Sequence, residues 1–254
     1  MTSHESRVTS HASVPSPSAG DSVPSGREIL QGVTTSTGEW QLQRRPAPSG
    51  AGQGVWHYEI ICNGVFLMAS YNRESDRQLG TLALERVEGD ALRVLIGGLG
   101  IGFTAQAVLE DARVDQLDVV EVEPVIAAWH RTYCASLCGR PLEDPRTHLI
   151  EQDLFDVPLA PRSWDAILLD TDNGPDWLAR DANARLYRAP MLERFLSALT
   201  RRGVLAFWSA APAPEFSERL ADLAGRVEAV EVEDEIAPGR AGTAWIYLAY
   251  GPTT

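Results

Sequence analysis

The chain is poor in three features that mark large classes of proteins: cysteine, surplus positive charge and long apolar runs. Its three cysteines lack the number and spacing of a disulfide framework, which predicts a reduced, cytoplasmic protein. The 22 basic and 35 acidic residues give a net charge of −13, whereas nucleic-acid and anionic-membrane surfaces need a basic patch. No apolar run approaches the about 20 residues of a membrane span, and no apolar signal segment opens the chain. We therefore expect a soluble protein with no nucleic-acid and no membrane partner.

The N-terminal third divides into a polar tail and a β-rich segment. Residues 1–27 are rich in serine, proline, threonine and glycine without apolar periodicity, which predicts a disordered tail. Residues 28–88 contain the strand-like pieces GEWQLQRR and GVWHYEIICNGVFLMAS, which predict a small β element. Asn63 and Gly64 stand between two apolar runs of the second piece, and this pair is the strongest short-range signal of a β-hairpin.

Residues 89–254 alternate between apolar runs and helix-like stretches. The five runs are RVLIGG, LDVVEVE, THLIEQ, DAILLD and VLAFWSA. This alternation indicates a mostly parallel sheet covered on both faces, a Rossmann-like doubly wound α/β fold. The last two strand-like segments, VEAVEVEDE and TAWIYLAYG, are joined by a connection too short for a crossover helix, so they must pair antiparallel. The sequence therefore predicts a seven-stranded sheet with a reversed terminal strand.

A glycine cluster follows the first of these runs and precedes a helix expected from Phe103. Its members are Gly97, Gly98, Gly100 and Gly102. Glycines at such a strand-to-helix turn let the backbone turn sharply and approach a ligand. The dinucleotide fingerprint G-x-G-x-x-G would need its third glycine at Phe103, and the sequence offers G-x-G-x-G instead. The loop is thus a candidate nucleotide-binding turn, and it disfavours a nicotinamide-dependent oxidoreductase.

Acidic residues end the next two strands at the same edge of the predicted sheet. Glu121 and Glu123 share one face of their strand, and one of them can accept hydrogen bonds from both ribose hydroxyls while the other remains a solvated charge. Asp153 lies beside Leu154 and Phe155, where a carboxylate can accept the adenine amino proton between apolar neighbours. Taken alone, Asp153 is equally well a cap or turn residue. Together these residues predict a pocket for an adenosine without a pyrophosphate.

The fourth strand ends in a candidate catalytic pair, Asp170 and Asp172. Ligands of open α/β sheets bind outside the carboxyl ends of the strands, and a carboxylate there can accept the proton of an attacking nucleophile. Two neighbouring carboxylates can also raise the pKa of one of them. Trp177 and Tyr187 further along this segment either line the acceptor pocket or pack the loop on the core.

A metal site is the weaker interpretation of the one histidine–cysteine stripe in the chain. His130, Cys134 and Cys138 recur every four residues on one helix face. Zinc prefers four ligands, and no second cysteine or histidine pair is evident in the sequence. We therefore expect a packed helix face and no metal.

From about Trp56 to the last strand, the chain resembles the spermidine synthase family, the polyamine aminopropyltransferases, which share the class I methyltransferase core. The matching segments are YEIICNGVFLMAS, VLIGGLGIG, VVEVEPVIAAW, EQDLFD, DAILLDTDNGP and ARLYRAPMLERFLSAL. The resemblance implies S-adenosylmethionine or its decarboxylated form as donor, a small-molecule acceptor and a homodimer formed through the N-terminal hairpin region. It also implies that Glu121 binds ribose, Asp153 binds adenine and Asp170 assists the attacking amine.

The chain departs from the family where the amine groups are recognised. The family loop G-G-G-D-G-G holds the aminopropyl amine with its aspartate, and this position is Gly100 here. A hairpin glutamine corresponds to Leu67, and a tyrosine of the amine pocket corresponds to Arg77. The catalytic loop D-S-S-D-P is shortened to DTDNGP. With Arg73 and Arg77 available for a carboxylate, these changes favour methyl or other alkyl transfer over aminopropyl transfer.

Two alternatives within the same resemblance remain open. The chain can be a true polyamine aminopropyltransferase, in which other residues replace the altered amine contacts. It can also be a non-catalytic member that binds a nucleoside or a partner chain, which the loss of amine-recognition residues suggests. The sequence does not name the acceptor, whose nucleophile is an amine or a hydroxyl group.

Overall fold

The computed structural model describes residues 26–48 and 54–251. The prediction of a disordered tail falls almost wholly on residues 1–25, outside the described part. The described chain opens with a four-stranded antiparallel sheet in the order β1-β2-β3-β4. These strands are β1 (Glu28–Thr35), β2 (Gly38–Pro46), β3 (Trp56–Cys62) and β4 (Val65–Ala69).

The first predicted strand-like piece forms β2, and the second forms β3 and β4. The sequence did not predict β1. The β3–β4 turn has φ of 50° at Asn63 and 77° at Gly64, and Cys62 pairs with Val65 across it. Positive φ at both central residues is the geometry that an Asn-Gly hairpin turn favours, so this prediction is confirmed. The sequence signal of β1 is weak because the strand is largely exposed, with Val33 buried and Ile29 62 % exposed.

The second part of the chain alternates strands with helices, as the apolar runs predicted. Its strands are β5 (Leu92–Gly97), β6 (Val114–Glu121), β7 (Thr147–Glu151), β8 (Trp164–Leu169), β9 (Leu199–Ser209), β10 (Val227–Ala237) and β11 (Arg240–Tyr250). Its α-helices are α1 (Glu74–Glu85), α2 (Phe103–Glu110), α3 (Pro124–Trp129), α4 (Ala189–Ala198) and α5 (Pro214–Ala224). A π-helical turn (His130–Cys134) continues α3, and 3₁₀ turns span Ala135–Leu137, Pro141–Glu143 and Asp181–Tyr187.

These seven strands form one sheet in the order β10-β11-β9-β8-β5-β6-β7. The neighbours from β9 to β7 are parallel, whereas β11 is antiparallel to both β9 and β10. The predicted Rossmann-like α/β fold with a reversed terminal strand is therefore confirmed, and the reversed strand is inserted between β9 and β10. Chain order reverses between β5 and β8, so a crevice opens at the carboxyl ends of these two strands.

Two apolar clusters cover the faces of the large sheet. One joins Trp40 and Ile60 of the small sheet to α1, α2 and α3, and the other packs α4 and α5 on the opposite face. The small sheet thereby shares a core with the large one, and its β3–β4 edge is held beside the crevice. The boundaries 28–88 and 89–254 stay predictions. Among the described residues, none of the helices has the length and apolarity needed to cross a membrane.

The first turn of α1 is anchored to the far end of the large sheet. The Asp234 carboxylate on β10 accepts hydrogen bonds from the backbone amides of Glu74 and Ser75 and from the Ser75 hydroxyl. Trp208 on β9 donates its indole N–H to the same hydroxyl. A carboxylate is favourable at a helix N-terminus because the amides there have no partners within the helix. These bonds fix the orientation of the next residue, Asp76, toward the crevice.

Candidate functional site

The crevice at the carboxyl ends of β5, β6 and β8 is a cleft with about 980 Å³ of empty space, part of it open to solvent. One wall consists of the glycine loop and the strand tips. Four side chains of the small sheet form the facing wall: Trp40, Ile60, Leu67 and Met68.

Two glycines of the loop line the cleft, and both have a positive φ. Gly98 has φ of +96° and donates its N–H to the Val120 carbonyl at 2.8 Å, and a Cβ on it would overlap the Asp170 carbonyl oxygen. Gly100 has φ of +51°, and a Cβ on it would overlap the Met68 thioether. Position 98 therefore requires a residue without a side chain, because its neighbour is backbone, whereas a side chain at position 100 would have to displace the flexible end of Met68.

The other two glycines shape the loop from behind. At Gly97, the end of β5, a Cβ would lie 2.9 Å from Leu154 and 3.0 Å from Leu169. Gly102, with φ of +104°, precedes α2 and packs against the His130 ring. Neither glycine lines the cleft. They affect a bound ligand only indirectly, because they let the loop pack closely against the side chains behind it.

Glu121 is the acidic strand tip that faces the cleft. Its two carboxylate oxygens accept hydrogen bonds from the Leu99 N–H at 3.0 Å and the Glu123 N–H at 2.8 Å. Burial raises the pKa of this carboxyl group, and the two backbone donors oppose the change. Glu123 has turned away, because its carboxylate accepts the Thr37 hydroxyl at the β1–β2 turn and is only 2 % exposed. The expectation of a solvated charge at Glu123 was wrong, since the small sheet covers it.

Asp153, Leu154 and Phe155 lie at the end of β7 and line the cleft beside Glu121. The Asp153 carboxylate accepts the Phe155 N–H at 3.0 Å. This bond forms a turn, as expected if Asp153 is a turn residue. Asp153 remains partly exposed and Leu154 is buried. A hydrogen-bond acceptor, the Asp153 carboxylate, therefore lies beside two apolar side chains. The carboxylate suits the polar edge of a purine ring, and the apolar side chains suit its faces.

The acidic partner of Asp170 in the cleft is Asp76. Asp170 accepts the Thr104 hydroxyl at 2.7 Å. Asp76 is 5 % exposed, lines the cleft and receives no hydrogen bond on its carboxylate from the described part of the chain. Burial raises the pKa of Asp76 well above its ordinary value, with further increases from the charges of Asp170 and Asp234. Burial likewise raises the pKa of Asp170.

Asp172, the predicted partner, also lines the cleft, but its own loop engages its carboxylate. Its carboxylate accepts the Ala179 N–H at 2.8 Å, the Asn183 amide at 3.0 Å and the Tyr187 hydroxyl at 3.3 Å. Burial raises its pKa, and these three donors oppose the change. Three donors engage this carboxylate in closing its loop, so Asp76 is the acidic neighbour of Asp170 whose carboxylate is not engaged by the described residues, and a catalytic role for Asp172 stays a prediction.

The aromatic residues proposed for the acceptor pocket lie outside the cleft lining. Tyr187 is buried, bonds Asp172 and packs its ring edge-on against Phe216 at a centroid distance of 5.5 Å. Trp177 is 55 % exposed. For Tyr187 the contacts are those of the loop-packing interpretation, so its assignment as a substrate residue is corrected. A substrate role for Trp177 stays a prediction.

Arg77, also expected to contact the substrate, does not line the cleft. Its guanidinium donates two hydrogen bonds to the Glu110 carboxylate on α2, at 2.6 and 3.1 Å. Consecutive helical residues point about 100° apart, so only its neighbour Asp76 faces the cleft. The cation that lines the cleft is Arg180, which forms no ion pair with any described residue. Asp76 could have been found from its helical spacing to buried Leu79 and Ala83, which places it on the apolar face of α1.

The histidine–cysteine stripe packs behind the glycine loop. His130 Nδ1 is 2.9 Å and Cys138 Sγ is 3.2 Å from the Ile101 carbonyl oxygen. The buried His130 Nε2 has no partner in the described chain, and burial lowers the pKa of the ring. No group of three metal-ligating side chains occurs within the described ranges. The contacts support the expected packed face.

The Asp76–Asp170 pair predicts an unusual dependence of the free energy of unfolding on pH. Burial raises the pKa of Asp170 from its ordinary 3.8 to about 6, and Asp76 faces it from α1 and Thr104 from α2. The folded state therefore binds this proton more tightly than the unfolded state. The stability that protonated Asp170 contributes is complete below pH 3.8 and is lost as the pH rises through 6. Thermal unfolding of Asp170→Asn and of the unmodified protein between pH 4 and 7 measures this loss.

We expect Asp170→Asn to gain about 2–3 kcal/mol in free energy of unfolding relative to the unmodified protein over this interval, because each pKa unit of the shift contributes about 1.4 kcal/mol. Asp156→Asn, at an exposed carboxylate of the β7–β8 connection, serves as the matched control. Parallel pH profiles for Asp170→Asn and the unmodified protein would contradict the assignment.

Comparison with known proteins identifies transferases with this fold. No family model matches the sequence. The chain is 26 % identical over 144 residues to a polyamine aminopropyltransferase of Mycobacterium tuberculosis (strain H37Rv), covering 55 % of this chain and 27 % of that one. It is 31 % identical over 115 residues to putrescine N-methyltransferase 2 of Nicotiana tabacum, covering 44 % and 31 %. The aligned region thus spans less than a third of the length of these curated relatives.

Two solved structures share the architecture. Spermidine synthase from Thermotoga maritima superposes with a TM-score of 0.70 at 15 % identity, covering 89 % of this chain and 74 % of that one. A spermidine synthase in complex with the transition state analogue AdoDATO superposes with a TM-score of 0.69 at 14 % identity, covering 89 % and 75 %. The chain therefore has the spermidine synthase fold and resembles aminopropyltransferases and putrescine N-methyltransferases in sequence, which confirms the resemblance seen in its motifs.

Proposed function

We propose that the chain is a group transferase that binds a sulfonium nucleoside of the S-adenosylmethionine type and transfers an alkyl group to a small acceptor. The observation that carries this proposal is one cleft that contains the glycine turn, Glu121, Asp153 and the Asp76–Asp170 pair. Glu121 would accept the ribose hydroxyls and Asp153 the adenine amino group. The transferable carbon would then lie toward Asp170. A cytoplasmic location and a homodimer through the small sheet stay predictions.

The proposed reaction is a nucleophilic displacement at a carbon bound to a sulfonium. The nucleophile attacks the carbon on the sulfonium, the carbon–sulfur bond breaks, and sulfur leaves as a neutral thioether. Such an in-line displacement depends mainly on the alignment of the three atoms. The nucleophile must also lose a proton, which a carboxylate with a raised pKa can accept near neutral pH. Asp170 fits this role, because it lies at the strand tip and burial raises its pKa.

Methyl transfer from S-adenosylmethionine is favoured over aminopropyl transfer by two features of the cleft. Met68 lies against Gly100, so a carboxylate cannot stand there to hold an aminopropyl amine unless Met68 moves. Arg180 supplies a guanidinium for the carboxylate that only the complete donor has. The curated relatives include both polyamine aminopropyltransferases and putrescine N-methyltransferases, so the preference rests on the cleft alone. Arg180 lines the cleft, whereas Arg73 and Arg77, the two arginines expected to pair with the donor carboxylate, do not.

Binding of S-adenosylhomocysteine tests the nucleoside site without requiring an acceptor. We expect Glu121→Gln to weaken binding by about 10- to 100-fold, because hydrogen bonds to a charged acceptor contribute about 1.5–3 kcal/mol. Isothermal titration calorimetry gives the dissociation constants. Glu151→Gln, at the exposed end of β7, is the matched control and should bind normally. Equal stabilisation by NADH, or an unchanged dissociation constant for Glu121→Gln, would exclude the proposed site.

Comparison of the two donors tests the methyl preference. We expect S-adenosylmethionine to bind at least tenfold more tightly than its decarboxylated form, because Arg180 pairs with the carboxylate. Arg180→Met should reduce this ratio to about one, whereas Arg188→Met, an exposed arginine before α4, should retain it. Calorimetry with both donors on all three proteins supplies the ratios. Tighter binding of the decarboxylated donor would favour a true aminopropyltransferase instead.

A further inference from the structure

Glu123 joins the turn between β1 and β2 to the tip of β6. Its carboxylate is 2 % exposed and accepts the hydroxyl of Thr37 in that turn. The Thr37 oxygen in turn accepts the Trp40 indole N–H at 3.0 Å, and Trp40 belongs to the cleft wall that the small sheet forms. A buried carboxylate costs free energy unless a donor compensates it, so this Thr37–Glu123 hydrogen bond keeps the Glu123 side chain against the small sheet.

The backbone of the same residue engages Glu121. The Glu123 N–H donates to one oxygen of the Glu121 carboxylate at 2.8 Å, and the Leu99 N–H donates to the other at 3.0 Å. Pro124 follows and confines Glu123 to an extended backbone, with φ of −102° and ψ of 105°. Because the side chain and the amide belong to one residue with a restricted backbone, a contact that fixes the side chain also fixes the direction of the amide toward Glu121.

We propose that Thr37 and Glu123 are positioning residues, which make nucleoside binding depend on the docking of the small sheet against the tip of β6. This inference rests on the proposed function, because it concerns the carboxylate that would accept the ribose hydroxyls. With the Thr37–Glu123 hydrogen bond in place, Glu121 keeps the donor that orients one of its oxygens, and Trp40 keeps the partner that holds it in the cleft wall. Loss of the bond releases both, so one contact of the β1–β2 turn sets the wall and the ribose acceptor together.

A second contact between the small sheet and α3 allows positioning to be separated from stability. The Trp129 indole N–H donates to the Gln31 side-chain oxygen on β1 at 2.6 Å, and the Gln31 amide nitrogen lies 3.4 Å from the Tyr133 hydroxyl. These bonds also dock β1 on α3 and on the π-helical turn that continues it. None of the three residues lines the cleft, and none donates to the Glu121 carboxylate. A variant at Gln31 therefore loosens the small sheet without breaking the proposed connection.

The experiment measures the dissociation constant of S-adenosylhomocysteine by isothermal titration calorimetry. Thr37→Val and Glu123→Ala should each weaken binding about tenfold, because removing the partner that orients a ligating side chain costs about 10- to 100-fold at metal sites. The double variant should bind no more weakly than the weaker single variant, since both substitutions remove the same contact. Thr37→Ser keeps a hydroxyl donor and Glu123→Gln keeps an oxygen acceptor, so both should bind within about threefold of the unmodified protein.

Gln31→Ala is the matched control. It leaves the Trp129 indole N–H without its acceptor inside the protein, so it should lower the temperature of thermal unfolding. Its dissociation constant for S-adenosylhomocysteine should stay within about twofold of that of the unmodified protein, because the substitution shares no partner with Glu121. Glu123→Ala leaves no buried charge behind and decides the question if Thr37→Val does not fold.

Three results would overturn the inference. They are unchanged binding by Thr37→Val and Glu123→Ala, equally weak binding by Glu123→Gln and Glu123→Ala, and a loss of affinity in Gln31→Ala equal to that in Thr37→Val. Failure of S-adenosylhomocysteine to bind the unmodified protein would instead reject the proposed function. Weakened binding by Glu121→Gln with unchanged binding by Glu123→Ala would keep the proposed function and remove only the positioning role.

Discussion

The contact between the Gly98 backbone and the Asp170 carbonyl group fixes the geometry of the whole cleft. Parallel pairing of β5 with β8 brings the two strand tips side by side, and the Asp170 N–H donates to the Gly97 carbonyl at 2.8 Å. A side chain at position 98 would separate them. Because Gly98 has none, the loop that would hold the nucleoside lies directly against the carboxylate that would receive the proton. Every other part of the candidate site is arranged around this contact.

The acidic groups of the cleft come from elements that are far apart in the chain, and this explains which of them the sequence could predict. Glu121, Asp153 and Asp170 end strands of a sheet whose order follows from apolar periodicity, so their common edge was predictable. Asp76 lies on a helix, and its direction depends on the anchoring of α1 by Asp234 across the sheet. The resemblance to the family placed Arg77 in the cleft, but Asp76 is the residue that lines it. The two are neighbours on α1, and consecutive helical residues point about 100° apart, so an error of one residue changes which side chain faces the cleft.

Other differences have similarly local causes. The weak pattern of β1 hides a strand whose residues are mostly exposed, and the insertion of β11 beside β9 is a matter of tertiary pairing that no local spacing reveals. Tyr187 is an aromatic residue near the site, but its hydroxyl bonds Asp172 inside the protein. Sequence reasoning thus predicted the fold and the acidic strand tips that line the cleft. The acceptor side depends on side-chain direction, which only the packed structure gives.

The most direct measurement is the crystal structure of the protein with S-adenosylhomocysteine bound. The account predicts both ribose hydroxyls on the Glu121 carboxylate, the adenine amino group on Asp153, and the thioether sulfur directed toward the space between Asp76 and Asp170. A nucleoside bound elsewhere, or one seated in the cleft with its sulfur directed away from these two carboxylates, would contradict it.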